Sequence, residues 1–214
     1  MSEQVVSKKR VADHGEVYTS KRKVNAMLYL VKQETKRIDS RFLEPACGTG
    51  NFLVEILRRK LNAVSEGYCE NQIDFEKYAV VAISSIYGID ILEDNVLTCR
   101  NRLYYLFEEI YKEMYQIKAK EECFKTVRFL LQKNIIHGNA LDLKTVGCKR
   151  EPIVFSEWSA IKNSLKRRDY TYEELLTHDE FELNALISDE GNMGFIPKPV
   201  KEYPLTHFLR ISDV

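Results

Sequence analysis

The sequence predicts an α/β fold in which a parallel sheet carries helices on both faces. Two observations point to it: short apolar segments alternate with longer segments of helical spacing, and the first two short segments end in turns that open a helix. With 214 residues, 44% of them apolar, the chain is long enough for one sizeable core. The alternation covers residues 1–158, the expected domain; residues 159–214 read as an irregular extension.

Taken in order, the first dozen residues form a polar arm. Lys21 to Val31 then place Val24, Met27, Leu28 and Val31 on one helical face. Phe42-Leu43 form a short strand, and from Asn51 the residues Phe52, Leu53, Ile56, Leu57 and Leu61 repeat at helical spacing. Residues 64–78 read as polar and irregular. Tyr87-Gly88-Ile89-Asp90-Ile91 is the second strand, Glu93 to about Gln132 a broken helical stretch, and Asn134 to Leu141 a third strand with its turn. Pro152-Ile153-Val154-Phe155 reads as a fourth strand. Beyond Trp158 come a basic segment, Lys162 to Arg168, an acidic helical stretch near Tyr172 to Leu186, and a tail with Pro197, Pro199 and Pro204.

The 32 basic and 32 acidic residues cancel, so no global field attracts nucleic acid. The ends differ in sign: residues 1–40 hold nine Lys/Arg and five Asp/Glu, residues 171–214 three and nine, which makes the N-terminal half the expected DNA face. Five scattered cysteines (47, 69, 99, 123, 148), without Cys-x-x-Cys or a His at ligand spacing, point to reduced thiols and no metal site. With apolar runs too short for a bilayer and no signal peptide, the expectation is a cytoplasmic protein without a membrane partner.

The segment Glu44-Pro45-Ala46-Cys47-Gly48-Thr49-Gly50-Asn51-Phe52 follows a strand and opens a helix. Such a turn aims free N–H groups and the positive helix end at a ligand. It is not a dinucleotide fingerprint, because position 53 is Leu and Asp90 lies about twice the usual ~20 residues away. Nor is it a P-loop, because no Lys-Ser/Thr follows. Asp90, at the tip of the second strand, can accept from ribose hydroxyls, with Glu93 or Asp94 left to serve the following helix.

The nine-residue string resembles the S-adenosylmethionine (SAM) loop of the adenine-specific, restriction–modification DNA methyltransferases, which reads acidic-Pro-Ala-Cys-Gly-Thr-Gly-x-Phe. The resemblance implies a Rossmann-like SAM-methyltransferase sheet, SAM as cofactor and adenine N6 in DNA as methyl acceptor. It implies cofactor contacts from Glu44 through Phe52, from Asp90 and Ile91, and from Asn139 and Ala140. Asn139 stands where the family has the Asp of Gly-Asp-Ala-Leu, touching the adenine N6. Ala12 to Ser20 resembles the family's His/Gly-Glu-x-Phe/Tyr-Thr-Pro segment, which would bring Tyr18 and Thr19 to the methionine end, with Thr19 or Ser20 also able to cap the next helix.

The family's Asn/Asp-Pro-Pro-Tyr/Phe acceptor segment has no counterpart, since the chain contains no Pro-Pro. Phe155-Ser156-Glu157-Trp158 offers an oxygen acceptor and an aromatic ring in similar order, so Asn139, Ser156, Glu157 and Trp158 are the catalytic candidates. Lys162, Lys166, Arg167 and Arg168, with Trp158 and Tyr170, could touch phosphates and bases. A complete methyltransferase sheet has seven strands and four are legible, so a partner subunit or self-association closing the open edge is expected. The alternative is a catalytically inactive SAM-binding subunit or DNA-binding regulator that needs a partner chain.

Overall fold

Three short strands, β1 (Phe42–Glu44), β2 (Ile86–Asp90) and β3 (Ile135–Asn139), pair in parallel in the order β1-β2-β3. β4 (Lys144–Thr145) adds antiparallel to β3, so the sheet is mixed rather than purely parallel. The computed structural model describes residues 10, 19–176, 186–187, 193–194 and 197–214. Helices α1 (Lys21–Leu30) and α2 (Lys32–Lys36) precede β1, α3 (Asn51–Tyr68) and α4 (Gln72–Ser84) connect β1 to β2, and α5 (Glu93–Tyr115) and α6 (Glu121–Asn134) connect β2 to β3.

Two sequence expectations for the helices change. Val24 and Leu28 of α1 are buried as expected, but Met27 and Val31 are exposed. The stretch 64–78 is helical over most of its length: α3 runs on to Tyr68, and α4 begins after Asn71, whose side chain accepts from the Ile73 N–H. The polar residues there hid a buried set, because Glu76, fully buried, accepts from Tyr111 Oη, from Gln72 Nε2 (2.8 Å) and from Lys120 Nζ (2.8 Å).

Side-chain alternation along the strands sends Ile86 and Ile135 into the large core with α3–α6, and Tyr87, Ile89 and Ile136 to the other face. That second face packs against Ile153, Phe155 and Tyr172, not against a second helical layer as expected. Phe155 lies in β5 (Val154–Ile161), which pairs antiparallel with β6 (Ser164–Thr171) along its whole length. The expected fourth strand is therefore longer than read, belongs to a separate hairpin, and crosses the boundary drawn at residue 158.

The described residues of the C-terminal segment are held largely by strand pairing. α7 (Tyr172–Leu176) follows β6, and beyond the two-residue pair β7 (Leu186–Ile187) and β8 (Met193–Gly194), β9 (Lys201–Glu202) and β10 (Thr206–His207) both pair with β6. Phe208 and Ile211 then join the main core together with Trp158 and Leu165. Of the expected acidic helix, Tyr172–Leu176 is seen, and residues 177–185 lie outside the described residues.

Lys60 of α3 is fully buried beneath the start of β1, where its Nζ donates to the carbonyls of Ile38 (3.1 Å) and Ser40 and to Ser85 Oγ (2.6 Å). Burial pushes its ammonium down to about 7, against smaller opposing effects of Asp39 and Glu34. The unfolded chain therefore binds one more proton between about pH 7 and pH 10.5, and stability contributed by this site rises with pH across that window. Denaturant unfolding at stepped pH should show Lys60→Met losing a slope of up to about 1.4 kcal/mol per pH unit relative to the native chain.

Candidate cofactor loop and acceptor face

The loop after β1 is shaped by two left-handed residues, Gly48 (φ 53°) and Gly50 (φ 84°). Cys47 N–H donates to the Ile89 carbonyl (2.9 Å), which ties the loop to the end of β2, and Gly50 N–H closes back on the Cys47 carbonyl (2.8 Å). Gly50 is the N-cap of α3; having no side chain, it leaves the first helical N–H groups without a side-chain cap. A Cβ at Gly50 would lie 2.6 Å from Cys99 Sγ of α5, and one at Gly88 would lie 2.9 Å from Leu53 Cδ1. Glycine at both positions lets the start of α3 close tightly against α5 and β2.

Three side chains, Asp90, Arg102 and Asn51, hold the loop. Asp90 Oδ2 accepts from Gly48 N–H (2.7 Å), and its Oδ1 accepts from Leu92 N–H (2.9 Å) and Asn95 Nδ2 (3.2 Å). Arg102, one turn beyond Cys99 on α5, donates through Nη1 to the Thr49 carbonyl (2.6 Å), Thr49 Oγ1 (3.2 Å) and Asn51 Oδ1 (2.9 Å). Asn51 Nδ2 in turn donates to the Thr19 carbonyl (3.2 Å).

Thr19 is thus beside the loop, whereas Tyr18 lies outside the described residues. Ser20 takes the N-cap position of α1, but its side chain makes no capping bond. Asp90 is not left free by Glu93 and Asp94 as the sequence suggested: it serves the Leu92 turn itself, while Asp94 pairs with Arg10 at 2.6 Å, which holds the Asp94 carboxyl below its ordinary range.

Electrostatics around the loop favour neutral groups. Burial pushes the Glu44 carboxyl up, partly offset by a hydrogen bond from the Ala46 N–H. The hydrogen bond with Cys99, then burial, raises the Cys47 thiol well above its ordinary range, so it is an inert packing group rather than a nucleophile. Pro45 and Ala46 are exposed and Gly48 and Thr49 half-buried, so the loop backbone is open to a ligand.

The ends of the other strands lie alongside. Asp90 is in register with His137, whose Nε2 lies 3.0 Å from the Ile91 carbonyl. Asn139 forms its own turn: Oδ1 accepts from Leu141 N–H (3.0 Å) and Nδ2 donates to Asp142 Oδ2 (3.2 Å), with Ala140 half-buried behind it. The loop, Asp90–Ile91 and Asn139–Ala140 therefore sit at the carboxyl ends of three adjacent parallel strands, where open α/β sheets bind ligands.

The residues read as an acceptor segment are not brought to that rim. Ser156 Oγ donates to Asp169 Oδ1 (2.7 Å) and accepts from Arg167 Nε (3.1 Å) inside the hairpin. Trp158 is 7% exposed, donates through Nε1 to Asn134 Oδ1 (3.1 Å) and meets Phe129 edge-on. Glu157 pairs with Arg41 (2.5 Å) and Arg168 (3.5 Å). Ser156 and Glu157 line a cavity of about 450 Å³ beside β1, to which neither Asp90 nor any residue from 45 to 52 contributes.

Three of the four basic-cluster residues are likewise engaged: Arg167 is buried against Asp169 and stacked over Tyr203, and Lys166 and Arg168 pair with Glu202, while Lys162 is exposed. Among the described residues no group of His, Cys, Asp and Glu is arranged to hold a metal ion, and no helix is long and apolar enough to cross a membrane.

No signal in the sequence singled out Arg102, because one arginine on an amphipathic helix looks like any solvated charge. Cys99 was legible only as one of five scattered reduced thiols.

A family model described as "MmeI, DNA-methyltransferase domain" matches residues 17–150, which takes in β1, β2, β3, the loop and Asn139 and ends before the β5–β6 hairpin. No curated protein and no solved structure matches the chain. With well over half of its length matched, and with the loop, Asp90 and Asn139 all inside the matched part, the chain belongs to the MmeI DNA-methyltransferase domain family, of restriction–modification type.

Proposed function

We propose that the chain binds SAM on the Glu44–Phe52 loop and acts in the cytoplasm as an adenine-N6 DNA methyltransferase, or as the SAM-binding part of one. The observation that carries this reading is the loop itself: two left-handed glycines at the end of β1, an exposed backbone, and an N-terminus of α3 without a side-chain cap. The residues fit the cofactor. Backbone groups from Ala46 to Thr49 would hold the methionine part, with Thr19 alongside. A carboxylate has about four acceptor positions, and Asp90 uses three, which leaves one for a ribose hydroxyl. Asn139 Oδ1 keeps a lone pair for an adenine N6 beyond its bond to Leu141. Bound SAM supplies an electrophilic methyl group; the chain's part is to orient it and to exclude water.

A second reading, a SAM-binding subunit or regulator that does not catalyse alone, is favoured by the engagement of Ser156, Glu157 and Trp158 in the hairpin and by the lack of Pro-Pro. Incubation with labelled SAM and unmethylated mixed-sequence DNA separates the two. Label on adenine N6 supports the enzyme. SAM binding without label, restored to activity only by a second chain, supports the subunit.

A further inference from the structure

Among the described residues the outer edge of β1 is unpaired. Phe42 N–H donates to the Ser85 carbonyl (3.0 Å), so strand alternation turns Phe42 and Glu44 toward β2 and leaves the N–H and C=O of Leu43 on the opposite edge. Among the described residues no strand takes up that edge. Parallel strands are ordinarily buried, and β2 is buried at every position, yet Leu43 is 41% exposed.

The second face of the sheet is covered beyond its own limit. The β5–β6 hairpin and α7 pack on Tyr87 and Ile89 of β2 and continue past β1, so that a slot of about 450 Å³ lies between Leu43 and the apolar wall of Phe155, Tyr170, Leu175 and Leu176. Leu43 is in register with Tyr87 and so faces this wall. Leu175 and Leu176 are exposed there. Arg41, Glu157 and Arg168 close the slot with charges that satisfy one another.

We propose that this slot takes an extended segment of a partner polypeptide, apolar at alternate positions, which adds to β1 as a further strand. An unpaired donor and acceptor on one residue call for a backbone, and the apolar wall calls for side chains at every second position. A second copy of this chain is the poorer occupant. It would offer β1, a three-residue strand already paired to its own β2 and overhung by its own hairpin, where the slot admits an unaccompanied segment. The inference stands apart from the cofactor reading, since no loop residue lines the slot.

The test is selection of phage-displayed random nine-residue peptides on the intact chain. Enriched peptides should be apolar at every second position, slow exchange of the Leu43 amide at least tenfold when bound, and bind Tyr170→Glu and Leu176→Glu at least tenfold more weakly. A proline at the central position of the peptide should abolish binding. No enrichment, or equal binding to both variants, would overturn the proposal. So would a concentration-dependent dimer in sedimentation that the same two substitutions dissociate, since the occupant would then be a second copy. Circular dichroism of both variants establishes that they fold, and their SAM titration should be unchanged.

Discussion

Asp90→Ala should unfold the loop end of the sheet and remove SAM binding together. The carboxylate is 8% exposed and satisfies Gly48 N–H, Leu92 N–H and the Asn95 side chain. Removing it leaves these three donors in a site where water reaches them poorly, at about 1 kcal/mol or more each and so about 3 kcal/mol or more together. In a chain of this size that lowers Tm by about 10 °C, readable by calorimetry. Asp90→Asn tests the ribose role separately. Its amide oxygen can still accept from Gly48, but its NH₂ meets the Leu92 donor, so stability should fall by less and SAM affinity by about tenfold or more.

Gly50→Ala is expected to have the next largest effect. The residue sits at φ 84°, where a Cβ costs about 1–2 kcal/mol. That Cβ would also lie 2.6 Å from Cys99 Sγ and 3.4 Å from Cys99 Cβ, an overpacking cost of about 1–3 kcal/mol. The loop can escape only by moving away from α5, which breaks the Arg102 bonds to Thr49 and Asn51. SAM affinity should fall about a hundredfold. The double variant with Cys99→Ala should recover part of the stability by relieving the contact with Sγ, and none of the backbone strain. Full recovery would show that φ at Gly50 matters little.

What the sequence made legible is the part whose physics is local. A turn with two glycines after an apolar pair, a buried strand ending in Asp90, and helical spacing from Phe52 to Leu61 all depend on neighbours in the chain, and the structure has each of them. The hairpin was not legible, because the inward positions of β6 are Leu165, Arg167 and Asp169. A charged pair that is buried and mutually satisfied erases the apolar–polar alternation by which a strand is recognised. Trp158 was read as a stacking ring because an aromatic after an acid fits that role; its burial depends on Asn134 and Phe129, more than twenty residues away in sequence. Arg102 is hidden for the same reason, being some fifty positions from the loop that it holds.

The central claim is that the Glu44–Phe52 loop is a SAM site, and calorimetric titration of the intact chain with SAM tests it most directly. The account predicts saturable binding of one SAM per chain, weakened about a hundredfold by Gly50→Ala and about tenfold by Arg102→Ala. A folded native chain that gives no heat of binding at millimolar SAM, or binding that neither substitution changes, would contradict it.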